Sequence, residues 1–196
     1  MAFIDVVRED EATGRAGEEL EADRARFGYV PNMGRLFALR PEVYAAWKQL
    51  NGAIKASMDT RRYELATLAA ARRLRSSYCM LAHGKVLLDG FVSPDELAAI
   101  VADHRSAGLG DIDVAVMDLA EKVVDDATSV TQEDVDRLRA LGLADEEIFD
   151  VVAAASVRCF FSKMLDGLGV QADARYRDLD PELSAALTLG RPVSSA

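Results

Sequence analysis

The sequence predicts an all-α fold on three observations. Apolar residues recur at three- and four-residue spacing through every readable stretch. Runs of β-branched residues alternating with polar ones are missing. Serine, threonine, glycine and proline fall where helices start and stop.

Taken in order, the spacing predicts a first amphipathic helix over about residues 9–27, closed by Gly28 and a Pro31-Asn32 turn, then a short segment through Leu39. Pro41 opens a helix over 41–56, whose Val43, Trp47, Leu50 and Ile54 form a stripe expected to face the core. Asp59-Thr60 caps its successor. Ser93-Pro94-Asp95-Glu96 is the clearest start signal: Ser93 caps, Pro94 suits the first turn and Glu96 closes a capping box, for a short helix ending near Asp103. Thr131-Gln132-Glu133-Asp134 repeats the device, Gly142 ends that helix, and 145–165 build a long apolar one stopped by Gly167 and Gly169. The two halves, centred on 60–90 and 131–166, each read as a capped helical hairpin without a residue-level repeat. No flexible linker divides them, so residues 1–196 are read as one domain with 41–103 as its core hairpin region. The tail from Pro181 is expected to take part of its order from a partner subunit.

At 196 residues, with 50% hydrophobic and 29% charged side chains, the chain is neither disordered nor of low complexity. A net charge of −10 disfavours non-specific binding to nucleic acid or anionic lipid, leaving small molecules and proteins as partners. The longest apolar runs, 65–71 broken by Thr67 and 151–157 broken by Ser156, fall far short of the ~20 residues a bilayer crossing needs. Asp5 interrupts the N-terminus before an apolar signal region develops, and a cytoplasmic location is expected. Two cysteines, Cys79 and Cys159, suit a reducing compartment rather than a disulfide framework.

Chemistry concentrates between residues 64 and 83. Cys79 and His83 stand four apart, one turn along a helix face, where an imidazole can take a thiol proton directly or through one water. If Ser76 caps that helix, Cys79 occupies its third position, where unpaired N–H groups and the helix dipole favour a thiolate. Arg72, Arg73 and Arg75 are expected to add to that effect. Glu64 precedes His83 by 19 residues, roughly 28 Å on one continuous helix. A chain reversal near Leu74 to Ser76 would instead set the two face to face across an antiparallel hairpin, the carboxylate orienting the imidazole.

With these residues in place the chain resembles the alkylhydroperoxidase D (AhpD) and carboxymuconolactone decarboxylase superfamily, whose redox members carry Glu, eleven residues, then Cys-x-x-Cys-x-x-x-His. Glu64, Cys79 and His83 match in spacing; Ser76 stands where the first cysteine would be. Pro41-Glu42-Val43-Tyr44 with Trp47, the 64–84 block and Asp166-Gly167-Leu168-Gly169-Val170 are similar to a branch of uncharacterised peroxidase-related proteins. Ser162 and Ala82 stand where that branch carries an asparagine and a second histidine. The resemblance implies an all-helical AhpD-like bundle, assembly into trimers or hexamers, and reduction of small organic hydroperoxides, with Cys79 as nucleophile, His83 relaying its proton and Glu64 steadying the histidine. The residues themselves suggest no cofactor. Since Ser76 cannot form a disulfide, a Cys79 sulfenic acid would be resolved by an external thiol.

Other residues invite plainer readings. Cys159 falls on a stripe with Ile148, Val152 and Ala155 and reads as core packing. His104 reads as a polar helix end, and the arginines at 61, 62, 72, 73 and 75 as a solvated face. Tyr78 either packs or hydrogen-bonds at the site; Phe37, Tyr44 and Trp47 read as core. No metal-ligand spacing and no phosphate loop is present. Two further functions compete with a peroxidase: a non-redox lyase or isomerase using His83 and Glu64, as in carboxymuconolactone decarboxylation, and a non-catalytic helical oligomer.

Overall fold

The computed structural model describes residues 2–195. Ten α-helices run in chain order: α1 Gly14–Phe27, α2 Asn32–Phe37, α3 Pro41–Ser57, α4 Thr60–Arg73, α5 Ser77–Gly90, α6 Pro94–Asp103, α7 Asp111–Asp126, α8 Gln132–Ala140, α9 Asp145–Gly167 and α10 Pro181–Leu187. Single 3₁₀ turns follow α7 and precede α10, and no strand occurs among the described residues.

Local chemistry sets these boundaries largely where the sequence places them. Asp59 caps α4 by accepting from Arg62 N at 2.9 Å. Ser93 and Glu96 close the capping box of α6, Thr131 and Asp134 that of α8, and Glu147 reaches back to Ala144 N at 2.9 Å to start α9. Gly28 ends α1 in the left-handed conformation at φ 80°, its N–H bonded to Arg24 O. The first helix begins later than the spacing predicts: Gly14 takes φ 54°, and Glu9 lies outside the helix, bonding Arg24 at 2.7 Å and pairing with Arg35.

α4 is the hub. Residues 65–71 are completely buried, and the helix packs against α5, α7 and α9. α7, which the punctuation signals do not mark, fills the centre beside α4 and α9 through Val116, Met117 and Ala120. The arginines of α4 do not form a solvated face. Arg61 pairs with Asp113, Arg62 with Glu147 at 3.1 Å, Arg72 with Glu121 at 3.0 Å and Arg73 with Asp125 at 2.8 Å. Arg61, Arg62 and Arg72 are half-buried rungs tying α4 to α7 and α9, and Arg73 makes its pair at the exposed edge.

Three further expectations are corrected. On α3, Val43 and Leu50 are 43% and 55% exposed, because the helix turns Tyr44, Trp47 and Ile54 inward instead. His104 does stand at the end of α6 but is fully buried there, its Nε2 3.0 Å from Asp118. The tail orders on its own chain. Leu183 and Leu187 are buried, Leu187 lies against Gly84, and Gly190 N donates to Ser77 Oγ at 2.8 Å.

Candidate active site

The reversal that the site requires lies between α4 and α5. Leu74 continues the helical conformation, Arg75 adopts a left-handed φ of 54°, and Ser76 starts the next helix. Gly190 packs on that corner so closely that a Cβ there would meet the Arg75 carbonyl oxygen. The antiparallel hairpin sets Glu64 against His83, with Glu64 Oε2 2.6 Å from His83 Nδ1.

Glu64 is not on a solvated face; it is 1% exposed. Burial by itself pushes its carboxyl up, but the His83 ring and the Lys55 ammonium, 2.6 Å from Oε1, overcome this and hold the pKa at about 2. The His83 pKa is lowered, chiefly by burial and next by the positive charge of Arg158, against the pull of Glu64. The pair is therefore a carboxylate facing a neutral imidazole, with Lys55 supplying the opposing charge. A carboxylate at Nδ1 fixes the Nδ1–H tautomer and leaves Nε2 as the basic atom. Thr67 Oγ1, donating to the Tyr63 and Glu64 carbonyls at 2.8 and 3.1 Å, packs beside that ring.

Cys79 sits at the third position of α5 and is 1% exposed. Ser162 Oγ donates to its Sγ at 3.1 Å, and Arg158 Nη1 lies 3.8 Å away. Arg158 is buried, and its hydrogen-bond partners among the described residues are Cys79 Sγ and Tyr63 Oη, the latter at 3.3 Å, with no carboxylate. A guanidinium taken out of water needs an opposing charge, and the atom placed to carry it is the Cys79 sulfur.

Arg158 is the candidate site residue that sequence reasoning missed. The arginines next to the hairpin, expected to favour the thiolate, point instead at the carboxylates of α7 and at the Leu189 carbonyl. The cation comes from a helix 79 residues away. A signal existed: Ile148, Val151, Ala155, Arg158, Ser162 and Leu165 form one buried stripe of α9, and a charge inside such a stripe is rarely structural filler.

Ser76 occupies the N-cap position but makes no capping bond; its Oγ is buried near Asp166, whose carboxyl is pushed up by burial and partly offset by Ser76 and Arg191. Tyr78 does hydrogen-bond. Its hydroxyl donates to Asp173 at 2.5 Å, and Asp173 also accepts from Tyr29 Oη and Asn32 N at 3.1 and 2.7 Å. Cys159, one residue along from Arg158, is half-buried, and burial pushes its thiol up.

Cys79 and His83 open onto a cavity of about 450 Å³. Its walls include Tyr44, Trp47, Tyr63, Tyr78, Phe161 and Tyr176, so two aromatics read as core also face ligand space. Trp47 is stacked on Phe161 with centroids 4.1 Å apart. Among the described residues no cluster of His, Cys, Asp and Glu is placed to hold a metal, and no helix is long and apolar enough to cross a membrane.

Residues 41–122, which include the whole hairpin, match the sequence profile of the carboxymuconolactone decarboxylase family. The structure is similar to the alkylhydroperoxidase AhpD core of an uncharacterised peroxidase-related protein from Ralstonia eutropha, at TM-score 0.80 and 19% identity over 97% of this chain and 98% of that one. The fold is that of the AhpD core, and the carboxymuconolactone decarboxylase profile covers residues 41–122 of it. A peroxidase-related protein from Silicibacter has the same fold at TM-score 0.77 and 18% identity, over 90% of this chain and 91% of that one. The debrominase Bmp8, in complex with 2,3,4-tribromopyrrole, follows at 0.73 and 16%, over 88% and 92%. No curated protein matches the sequence. Likeness at these identities fixes the fold, an AhpD-like helical bundle, and leaves the chemistry to the site.

Proposed function

We propose that this protein is a thiol-dependent peroxidase that reduces small organic hydroperoxides, with Cys79 as nucleophile. The observation that carries the reading is Arg158, a buried guanidinium that contacts Cys79 Sγ and Tyr63 Oη and no carboxylate, placed to stabilise the charge that develops on sulfur as its proton leaves. In the first half-reaction His83 Nε2 takes the thiol proton and Sγ attacks the terminal peroxide oxygen. The S–O bond forms as the O–O bond breaks, and the leaving alkoxide recovers the proton from His83, giving an alcohol and a sulfenic acid. Glu64 keeps the imidazole oriented throughout. In the second half-reaction an external thiol attacks the sulfenic sulfur, releasing water and forming a mixed disulfide, which a second thiol resolves to regenerate Cys79.

Arg158 also weighs against a lyase or isomerase built on His83 and Glu64 alone, because removing a proton from a carbon acid gives no reason to bury a guanidinium against a thiol. Treating the protein with an organic hydroperoxide should add one oxygen by intact mass, trapped by a sulfenic-acid reagent and absent in Cys79→Ser. A wild-type protein that stays unmodified, or a Cys79→Ser protein that still consumes peroxide, would contradict the proposal.

A further inference from the structure

The cavity has a charge character opposite to that of the chain. Six lysines and arginines line it against four aspartates and glutamates, in a protein of net charge −10. The carboxylates are already engaged where they sit deepest: Glu64 with His83 and Lys55, Asp23 with Tyr44, Asp173 with Tyr78 and Tyr29. None of its three arginines has an ion-pair partner among the described residues. Arg158 lies at the reactive end, while Arg26 and Arg175 are exposed at the mouth, each laid over an aromatic ring, Phe27 at 5.1 Å and Tyr29 at 5.0 Å.

Two buried N–H groups in the same walls also lack partners, Trp47 Nε1 and Arg158 Nε. Trp47 is locked on Phe161 and cannot rotate to find one, and Arg158 is held over the same ring at 5.5 Å. Buried donors without acceptors are a standing cost that a ligand oxygen removes.

We propose that this cavity selects small aryl hydroperoxides that carry a carboxylate: the ring lies among the aromatic walls, the peroxide meets Cys79, and the carboxylate reaches Arg26 and Arg175. The inference rests on the peroxidase reading for the peroxide group and on the cavity alone for the anionic arene. The peroxide oxygens supply acceptors for Trp47 Nε1 and Arg158 Nε, and a cavity of this size holds a single substituted ring.

Binding can be separated from chemistry in Cys79→Ser with two unreactive alcohols, 4-(2-hydroxypropan-2-yl)benzoate and its neutral parent 2-phenylpropan-2-ol. Trp47, the single tryptophan of the chain, reports occupancy by fluorescence, and calorimetry gives an independent Kd. The benzoate should bind roughly tenfold tighter or more, a preference that shrinks with salt and disappears in an Arg26→Gln/Arg175→Gln background whose fold is verified by circular dichroism. Affinities within about twofold of each other, or a preference that survives loss of both arginines, overturn the inference even if wild-type Cys79 is oxidised by simple peroxides. Selective benzoate binding with no oxidation of wild-type Cys79 by the matching 4-carboxyaryl hydroperoxide overturns the peroxidase reading instead.

Discussion

Replacing Arg158 by methionine keeps the reach of the side chain and removes the charge beside Cys79 Sγ. Alkylation of Cys79 by iodoacetamide at neutral pH should slow by roughly tenfold or more, each tenfold step corresponding to about 1.4 kcal/mol. An unchanged rate would remove the argument for a guanidinium-stabilised thiolate. His83 works as a base only when neutral, so peroxide reduction should fail as pH drops through a His83 pKa lying below the ordinary 6.5. Glu64→Gln takes away a group that raises that pKa, so the acid limb of the pH–rate profile should move further down while the maximal rate falls. Stability follows the same sign. Both folded-state values are depressed, so the unfolded chain binds more protons at acid pH. Stability from His83 is lost as pH falls below about 6.5, and that from Glu64 between 4.5 and about 2. Urea midpoints should therefore decline from pH 7 toward pH 3, and a flat profile would contradict the assignment.

The α4–α5 hairpin is the element that makes the site, and its corner can be tested from two sides. Ser76 and Cys79 lie three apart across the start of α5, so Ser76→Cys restores the two-cysteine spacing on one helix face. Peroxide treatment of that variant should yield an internal disulfide in place of a stable sulfenic acid, read by mass and by loss of free thiol; a folded variant that forms no bridge would show Cys79 to be misoriented. On the other side of the corner, Gly190→Ala drives a Cβ into the Arg75 carbonyl. The tail should lift and Tm fall by several degrees, for a cost of about 1–3 kcal/mol. Proteolysis near residue 190 should rise with it.

For the whole molecule, the homo-oligomer expected from the sequence now has specific side chains attached to it. Val43 and Leu50 on α3 and Phe149 and Phe160 on α9 are 43–69% exposed, on two helices that pack together. Light scattering at micromolar concentration should report a mass above the 21.3 kDa of one chain, and Leu50→Lys with Phe160→Asp should lower it. A monomeric wild type would show that these side chains are simply solvated.

The sequence by itself determined most of the helix ends and the spacing of Glu64, Cys79 and His83, because caps, glycine stops and i,i+4 spacing are local and act within a few residues of where they are written. It also carried the reversal between α4 and α5, since no other path lets Glu64 meet His83, although nothing local predicts that Arg75 accepts a left-handed φ to make it. The tertiary structure alone decided three things. α7 is central, because α4 must bury nearly its whole circumference. The α4 arginines spend their charge on α7 and α9. Arg158 and Ser162 reach Cys79 from 79 and 83 residues away. Which charge faces a buried sulfur depends on how two helices pack, and packing joins residues that no spacing rule relates.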